Sequence, residues 1–384
     1  MKLKVRPEDF RVEEKLGLKL KRAGAFSVYR LEKRLWNTLD VIRHLEQRHG
    51  MRRIGRAGLK DRYALSTQFL SIPGSGPQSI VEKNYSLRFV GRADQPVSRD
   101  ALLGNRFTIA VRAMTADEVS AAINTLPRLK RFGFPNYYDE QRMGSARHGQ
   151  GFIARRLIDG HFNGALKLYL ATPSAADDAK TRRAKTLIEQ NWGDWRRCLE
   201  LVSPETWPLM KWLVYHPRDF VGAVKLIPRD LLDLFVNAYQ AWLWNETMVG
   251  VLEESGIPVR FVDYALGRFA FYEELNPAQS RYLGKLVIPA LAPDTVFSSD
   301  RVARVAHDVL KREGLELAQL KIKVRIHGVY FKGYERRAVA VPHGLQWSEP
   351  QPDDLYPGRQ KLQLTFFLPA GSFATILVKS LLIQ

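Results

Sequence analysis

The densest chemistry in this 384-residue sequence lies between Gly55 and Gln68, G-R-A-G-L-K-D-R-Y-A-L-S-T-Q. Gly55 and Gly58 bracket a turn. Lys60, Asp61 and Arg62 then place one acid between two bases. A carboxylate between cations is held ionised, and an ionised carboxylate can serve as a nucleophile or as an electrostatic stabiliser. The same tripeptide also reads as a surface loop closed by an ion pair. A second segment, Gly133 to Gly144 (G-F-P-N-Y-Y-D-E-Q-R-M-G), joins aromatic residues to Asn136, Gln141 and Arg142. Aromatic rings stack on bases, amides read base edges and a guanidinium grips phosphate; a turn with its rings in the core is the plainer alternative. A third, Leu368 to Lys379 (L-P-A-G-S-F-A-T-I-L-V-K), turns into a helix at Phe373, which is either core or a stacking platform.

Other chemistries are missing. There is no G-x-x-x-x-G-K-[ST] and no G-x-G-x-x-G, so no nucleotide cofactor has a phosphate cradle. There is no G-x-S-x-G elbow. The eight histidines form no H-x-x-x-H pair. His44 and His49, five apart, are expected on different faces of a helix, so no metal site is expected. The one cysteine, Cys198, excludes an intrachain disulfide and a multi-cysteine zinc site, and fits a reducing compartment.

The elements that must carry these segments follow from periodicity. Alternation predicts strands at Phe10–Glu14, Ala25–Glu32, Gln68–Ile72, Tyr85–Val90 and Arg106–Arg112. Helical spacing predicts helices over Asn37–His49, with Thr38 as cap and Leu39, Ile42 and Leu45 on one face, and over Ala116–Leu126. From about residue 150 the pattern is helical, at Gly151–Leu170, Asp177–Cys198, Pro228–Glu254 and Ser298–Arg312, and six of the eight tryptophans lie between 192 and 244. Strand alternation returns at Ile322–Phe331, Arg336–Val341 and Leu362–Phe367. The fold class is therefore α+β: a mixed or antiparallel sheet interrupted by a helix-rich insertion.

Composition fixes the partner class. The formal net charge is +19, with 45% hydrophobic and 11% aromatic residues. That suits a folded protein that meets a polyanion. Residues 1–70 hold 18 Lys and Arg against 8 Asp and Glu, and Lys321–Arg337 holds six against one. Such clustering is what phosphate neutralisation needs. The charged N-terminus is not expected to act as a secretory signal. The longest uncharged run, Leu362–Val378, is broken by Pro369 and Gly371 and reads as a strand, a turn and a buried element rather than a membrane span. A soluble cytoplasmic protein is expected, with no membrane, no obligatory protein partner and a monomeric state.

Taken together, the three segments resemble the TruD family of tRNA pseudouridine synthases. The family's G-x-K-D-R-x-A-x-T-x-Q motif is matched by Gly58, Lys60, Asp61, Arg62, Ala64, Thr67 and Gln68. Its P-N-Y-F-G-x-Q-R-F-G motif is matched by Pro135, Asn136, Tyr137, Gln141, Arg142 and Gly144, and its L-P-x-G-S-[FY]-A-T by Leu368–Thr375. The opening P-E-D-F-x-V-E-E at Pro7–Glu14 and the W-N-T at Trp36–Thr38 fit too. The departures are Tyr138, Asp139 and Met143, and Asp139 adds an acid beside the expected site.

The resemblance implies a catalytic pseudouridine synthase core, residues 1–155 and 338–384, interrupted by an insertion domain, 156–337; the basic patches that flank the insertion predict that it helps clamp RNA. It implies isomerisation of uridine to pseudouridine in tRNA, typically at position 13, without a cofactor or metal. Asp61 matches the catalytic aspartate. Lys4, Phe10, Asn136 and Phe373 are carried over as uridine-pocket residues, and Arg142 is added from its place beside them. Lys60 and Arg62 are expected to divide two tasks, one meeting RNA phosphate and the other supporting the loop. An inactive RNA binder on the same fold and a Mg²⁺ nuclease are the competing readings. The nuclease would need paired carboxylates, and Glu8/Asp9, Glu13/Glu14 and Asp139/Glu140 are sequence neighbours that seldom share a metal.

Overall fold

Alternating residues in the first third of the chain pair into one sheet. The computed structural model describes residues 1–144, 146–147, 151–174 and 177–382. The chain divides into two compact units, Met1–Phe134 with Ala340–Gln384, and Pro135–Val339.

The first unit carries β1 (Phe10–Leu16), β2 (Phe26–Lys33), β3 (Leu65–Pro73), β4 (Ser79–Glu82), β5 (Tyr85–Ala93), β6 (Leu102–Met114), β7 (His343–Trp347) and β8 (Gln360–Pro369). Their order is β7-β8-β6-β1-β3-β2-β5-β4, and two short strands at Gly55–Arg56 and Gln351–Pro352 bring the sheet to ten. β1 and β3 run parallel, in register at Arg11↔Leu65, while β1–β6, β8–β6, β2–β3 and β2–β5 are antiparallel. The sheet is therefore mixed, as expected.

The period of two decides which side chains enter the core. On β1, Phe10, Val12 and Glu14 are buried while Arg11, Glu13 and Lys15 are exposed. On β2, Tyr29, Leu31 and Lys33 are buried while Arg30 and Glu32 are exposed. Helix α1 (Thr38–His49) lays Val41, Ile42 and Leu45 on Tyr29, Leu31, Leu70 and Leu87. Each such side chain contributes about 1.5–3 kcal/mol on burial, and Leu45→Ala would cost about 2–5 kcal/mol. The α1 cap is Asn37, whose side chain accepts from Asp40 N at 2.9 Å, not Thr38; Leu39 is exposed. Thr38 has another task in the loop described below. Helix α2 (Ala116–Phe132) starts in a Thr115–Glu118 capping box and continues through Pro127, where the sequence reading ended it, because Leu126 and Leu129 keep the buried face in phase.

In the second unit the long helix Arg229–Glu254 is buried on most of its circumference. The helices Ile153–Asp159 and Asp300–Arg312 pack on it. The expected helix over 151–170 is broken at Gly160, which adopts φ 79°, and the next runs Phe162–Leu170. The region expected as one helix over 177–198 is two, Ala179–Gln190 and Trp195–Leu201. The tryptophans act as internal struts: Trp195 Nε1 donates to Pro217 O, Trp242 Nε1 to Leu266 O and Trp244 Nε1 to Ile288 O. The expected strand over 322–331 is instead irregular chain, held by local turns such as Val329 N to Ile326 O and by Lys323 N to Leu157 O. Its apolar residues Val324, Val329 and Phe331 bury without a neighbouring strand to pair with. Residues 135–155, read from sequence as part of the core, group with the second unit. A hairpin, Val259–Tyr264 with Gly267–Tyr272, and the helices Trp207–Tyr215 and Pro277–Lys285 were not expected. No described helix is long and apolar enough to cross a membrane.

Candidate active site

Asp61 lies on the loop between Gly55–Arg56 and β3, with its carboxylate about half exposed. Three lysines hold this loop from different sides. Lys4 Nζ donates to Asp61 Oδ2 at 2.5 Å and lies 4.6 Å over the Phe10 ring. Lys4 itself has φ 55°. A left-handed non-glycine residue costs about 1–3 kcal/mol and persists only where its surroundings impose it. Lys33, inward on β2, donates to the backbone carbonyls of Trp36 at 2.8 Å and Asp61 at 2.9 Å. Burial pushes its ammonium down to about 8, against the opposing pull of Asp61 and with a further push from Lys60.

Lys60 turns inward. Its side chain is 8% exposed, and its ammonium pairs at 2.7 Å with Glu14 Oε1, whose side chain is fully buried. The other Glu14 oxygen accepts Phe69 N at 3.0 Å. Lys60 N donates to Thr38 Oγ1, and Thr38 Oγ1 donates to Gln68 Oε1, both at 2.8 Å. Of the two cations expected to divide RNA contact and loop support, Lys60 thus takes the supporting place, and its ammonium is not presented to a phosphate. Arg62 is exposed, with Nε on Leu35 O at 3.0 Å. Gly55 is required by space, since a Cβ there would stand 2.5 Å from Ser71 Oγ and 2.8 Å from Val97 O. Gly58 is not so confined: its Cβ would meet Glu14 and Lys60 at an ordinary 3.7 Å.

Phe10 is buried, edge-on to Phe107 at 6.1 Å, and as placed it is the floor beneath Lys4 rather than an open platform. Phe373 is half-buried at the start of the helix Ala374–Lys379. Two large side chains flanking Asp61, Leu59 and Tyr63, are about 60% exposed, and the sequence reading gave neither a role.

Asn136 and Arg142 belong to the second unit. Asn136 is buried, with Nδ2 on Arg337 O at 3.2 Å and Oδ1 accepting Arg336 Nη2 at 2.9 Å. The Arg336 guanidinium also donates to Asn136 O and lies 4.0 Å over the Tyr138 ring and 5.1 Å from that of Trp244. Burial lowers its pKa and the tyrosines Tyr138 and Tyr334 oppose that shift. Arg336 sits in the basic run read as facing RNA, yet it is an internal clamp on Asn136. Tyr138 is fixed through its backbone by both atoms of the Asn245 amide, each at 2.9 Å. Arg142 is half-buried in the short turn Glu140–Met143, and Asp139, at the start of that turn, is buried. Among the described residues the one group of three or more with metal-ligand spacing is His44, His49 and Glu82.

The mixed sheet with its helix-rich second unit has the fold of a pseudouridine synthase. A crystal structure from Methanosarcina mazei, described as a tRNA pseudouridine synthase D (TruD), matches with a TM-score of 0.71 at 27% identity, over 98% of this chain and 92% of that one. The family model for tRNA pseudouridine synthase D (TruD) matches residues 1–381, and the chain belongs to that family. The probable tRNA pseudouridine synthase D 1 of Methanococcus maripaludis is 32% identical over 99% of this chain and 98% of its own. The tRNA pseudouridine synthase D of Aquifex aeolicus is 30% identical over 99% and 98%.

Proposed function

We propose that this protein isomerises uridine to pseudouridine in tRNA, at position 13, with Asp61 as the catalytic carboxylate and no cofactor. The observation that carries this reading is the Asp61 loop: its carboxylate is met by Lys4 at 2.5 Å, and its backbone is pinned by Lys33 and the buried Lys60–Glu14 pair. A group held this way is preorganised, and preorganisation is what lowers a barrier without cost at the moment of reaction.

The substrate uridine is stacked in RNA and must be flipped out, at a cost of a few kcal/mol. Phe373 stacks on the extruded base. Asn136 retains one amide hydrogen and one lone pair beyond its bonds to Arg337 and Arg336, enough to meet a uracil edge. Asp61 acts at the sugar, the C1′–N1 bond breaks, the uracil turns and C5 bonds to C1′. The C5 hydrogen leaves as a proton and N1 ends protonated, so the step balances with no second substrate. Lys4 holds the carboxylate in place through its bond to Oδ2. Arg62, exposed beside Asp61, takes a flanking phosphate. Arg142 does the same from its own unit. The enzyme works as a monomer in the cytoplasm.

The test is single-turnover pseudouridine formation on unmodified tRNA. Asp61→Asn is expected to abolish product while tRNA binding stays within a few fold. Turnover by Asp61→Asn contradicts the assignment.

A further inference from the structure

We infer that His44, His49 and Glu82 form a site for a divalent transition metal of the zinc class, which ties the end of α1 to the β4–β5 edge of the sheet. One ligand atom from each of the three lies within 4.8 Å of the others. The spacing of five had placed the two histidines on different helix faces. In the structure they nonetheless meet: His49 is the last residue of α1, and the two rings are 6.0 Å apart. Glu82 comes from the end of β4, across the hairpin, and its Oε1 is 3.1 Å from His49 Nε2.

The surroundings suit a metal better than an isolated His–Glu pair. His44 Nδ1 is 2.8 Å from Tyr85 Oη. This bond fixes the orientation of the His44 ring and leaves its other nitrogen for a cation. Outer-sphere bonding of this kind fixes the tautomer of metal-binding histidines. Trp36, edge-on to His44 at 5.2 Å, holds the ring from the other side. Two imidazoles and a carboxylate suit zinc over magnesium or calcium, and water completes a tetrahedron. Ligands about 2.0–2.2 Å from zinc stand about 3.3–3.5 Å apart, so the trio needs only a small contraction.

The site is separate from the chemistry. Thr38, which binds the catalytic loop through Lys60 N, opens α1, and His49 closes it. At 1.5 Å per residue the two are about 16 Å apart. Zinc here cross-links a helix end to an edge hairpin, and it stabilises the folded chain by binding it preferentially.

The experiment is calorimetric titration of the chelator-treated full chain with Zn²⁺, paired with thermal melts and the visible spectrum of the Co²⁺ form. One metal per chain, a rise in Tm and a tetrahedral cobalt spectrum are expected. The His44→Ala/His49→Ala double variant is expected to bind at least 100-fold more weakly and to lose the Tm rise. Glu82→Gln, which leaves both histidines, and Tyr85→Phe are expected to bind about tenfold more weakly. His307→Ala, elsewhere on the chain, is expected to bind as the parent does. Circular dichroism verifies that each variant is folded. No binding by the parent chain, or binding that folded double variant and parent share equally, overturns the inference. Pseudouridine formation is expected to be the same with and without the metal.

Discussion

Lys60→Met separates loop support from RNA contact. The substitution removes the ammonium with little change in volume and leaves Glu14, fully buried, with Phe69 N as its remaining partner. Leaving one charge of a buried pair uncompensated costs about 3–5 kcal/mol. That is a large part of a typical stability of about 5–15 kcal/mol, so the variant folds but melts early. The Asp61 loop keeps its ties from Lys60 N to Thr38 and from Lys33 to the Asp61 carbonyl, but loses its side-chain anchor. A displacement of about 1 Å at a reacting group costs about 10²-fold in rate. The single-turnover rate should therefore fall about a hundredfold, while the tRNA Kd and its salt dependence stay as in the parent. The double variant Glu14→Gln/Lys60→Met buries no charge and should recover most of the lost stability. The assays are urea melts, tRNA binding across a salt series and single-turnover kinetics. A phosphate-binding Lys60 would give the opposite pattern, with the salt slope reduced by about 0.9 at an unchanged rate and unchanged stability. That result would refute the support role.

Three further outcomes follow from the same geometry. Lys33 has a lowered folded-state pKa, about 8 against an ordinary 10.5, so between those values the unfolded chain holds more protons. Its contribution to stability should thus rise with pH across about 8 to 10.5, and urea midpoints of the parent should gain on those of Lys33→Met over that window. Tyr63→Ala removes an exposed ring beside Asp61; if it stacks on a neighbouring base, tRNA binding should weaken by about 1–3 kcal/mol with the melt unchanged, and unaltered binding removes the ring from the interface. Arg336→Met deprives buried Asn136 of charge-assisted bonds worth about 1.5–3 kcal/mol each, so it should lower Tm with no change in the salt slope of tRNA binding; a reduced slope would mark Arg336 as a phosphate ligand after all.

The strands of the first unit were legible because the period of two is clean on β1 and, from Tyr29 to Lys33, on β2; before that Ser27, Val28 and Tyr29 are buried in succession. The same period held the signal for the loop's anchors. Glu14 continues the inward series Phe10, Val12, and Lys33 continues Tyr29, Leu31. A charged residue at an inward position needs a buried partner, and here the partners are Lys60 and the carbonyl of Asp61. The 322–331 stretch misled because alternation without a pairing strand does not make a sheet. Arg336 was hidden in a basic run, since charge clustering records composition and not direction. The meeting of His44 and His49 with Glu82 depended on a residue from another element, which spacing along one helix does not report.

The central claim is tested most directly by mapping pseudouridine, position by position, in tRNA that lacks the modification. The tRNA is incubated with the protein and no added cofactor, in parallel with Asp61→Asn. The account predicts new pseudouridine at position 13 with the parent chain and none with Asp61→Asn. Pseudouridine formed equally by both, or tRNA bound by the parent and left unmodified, would contradict it.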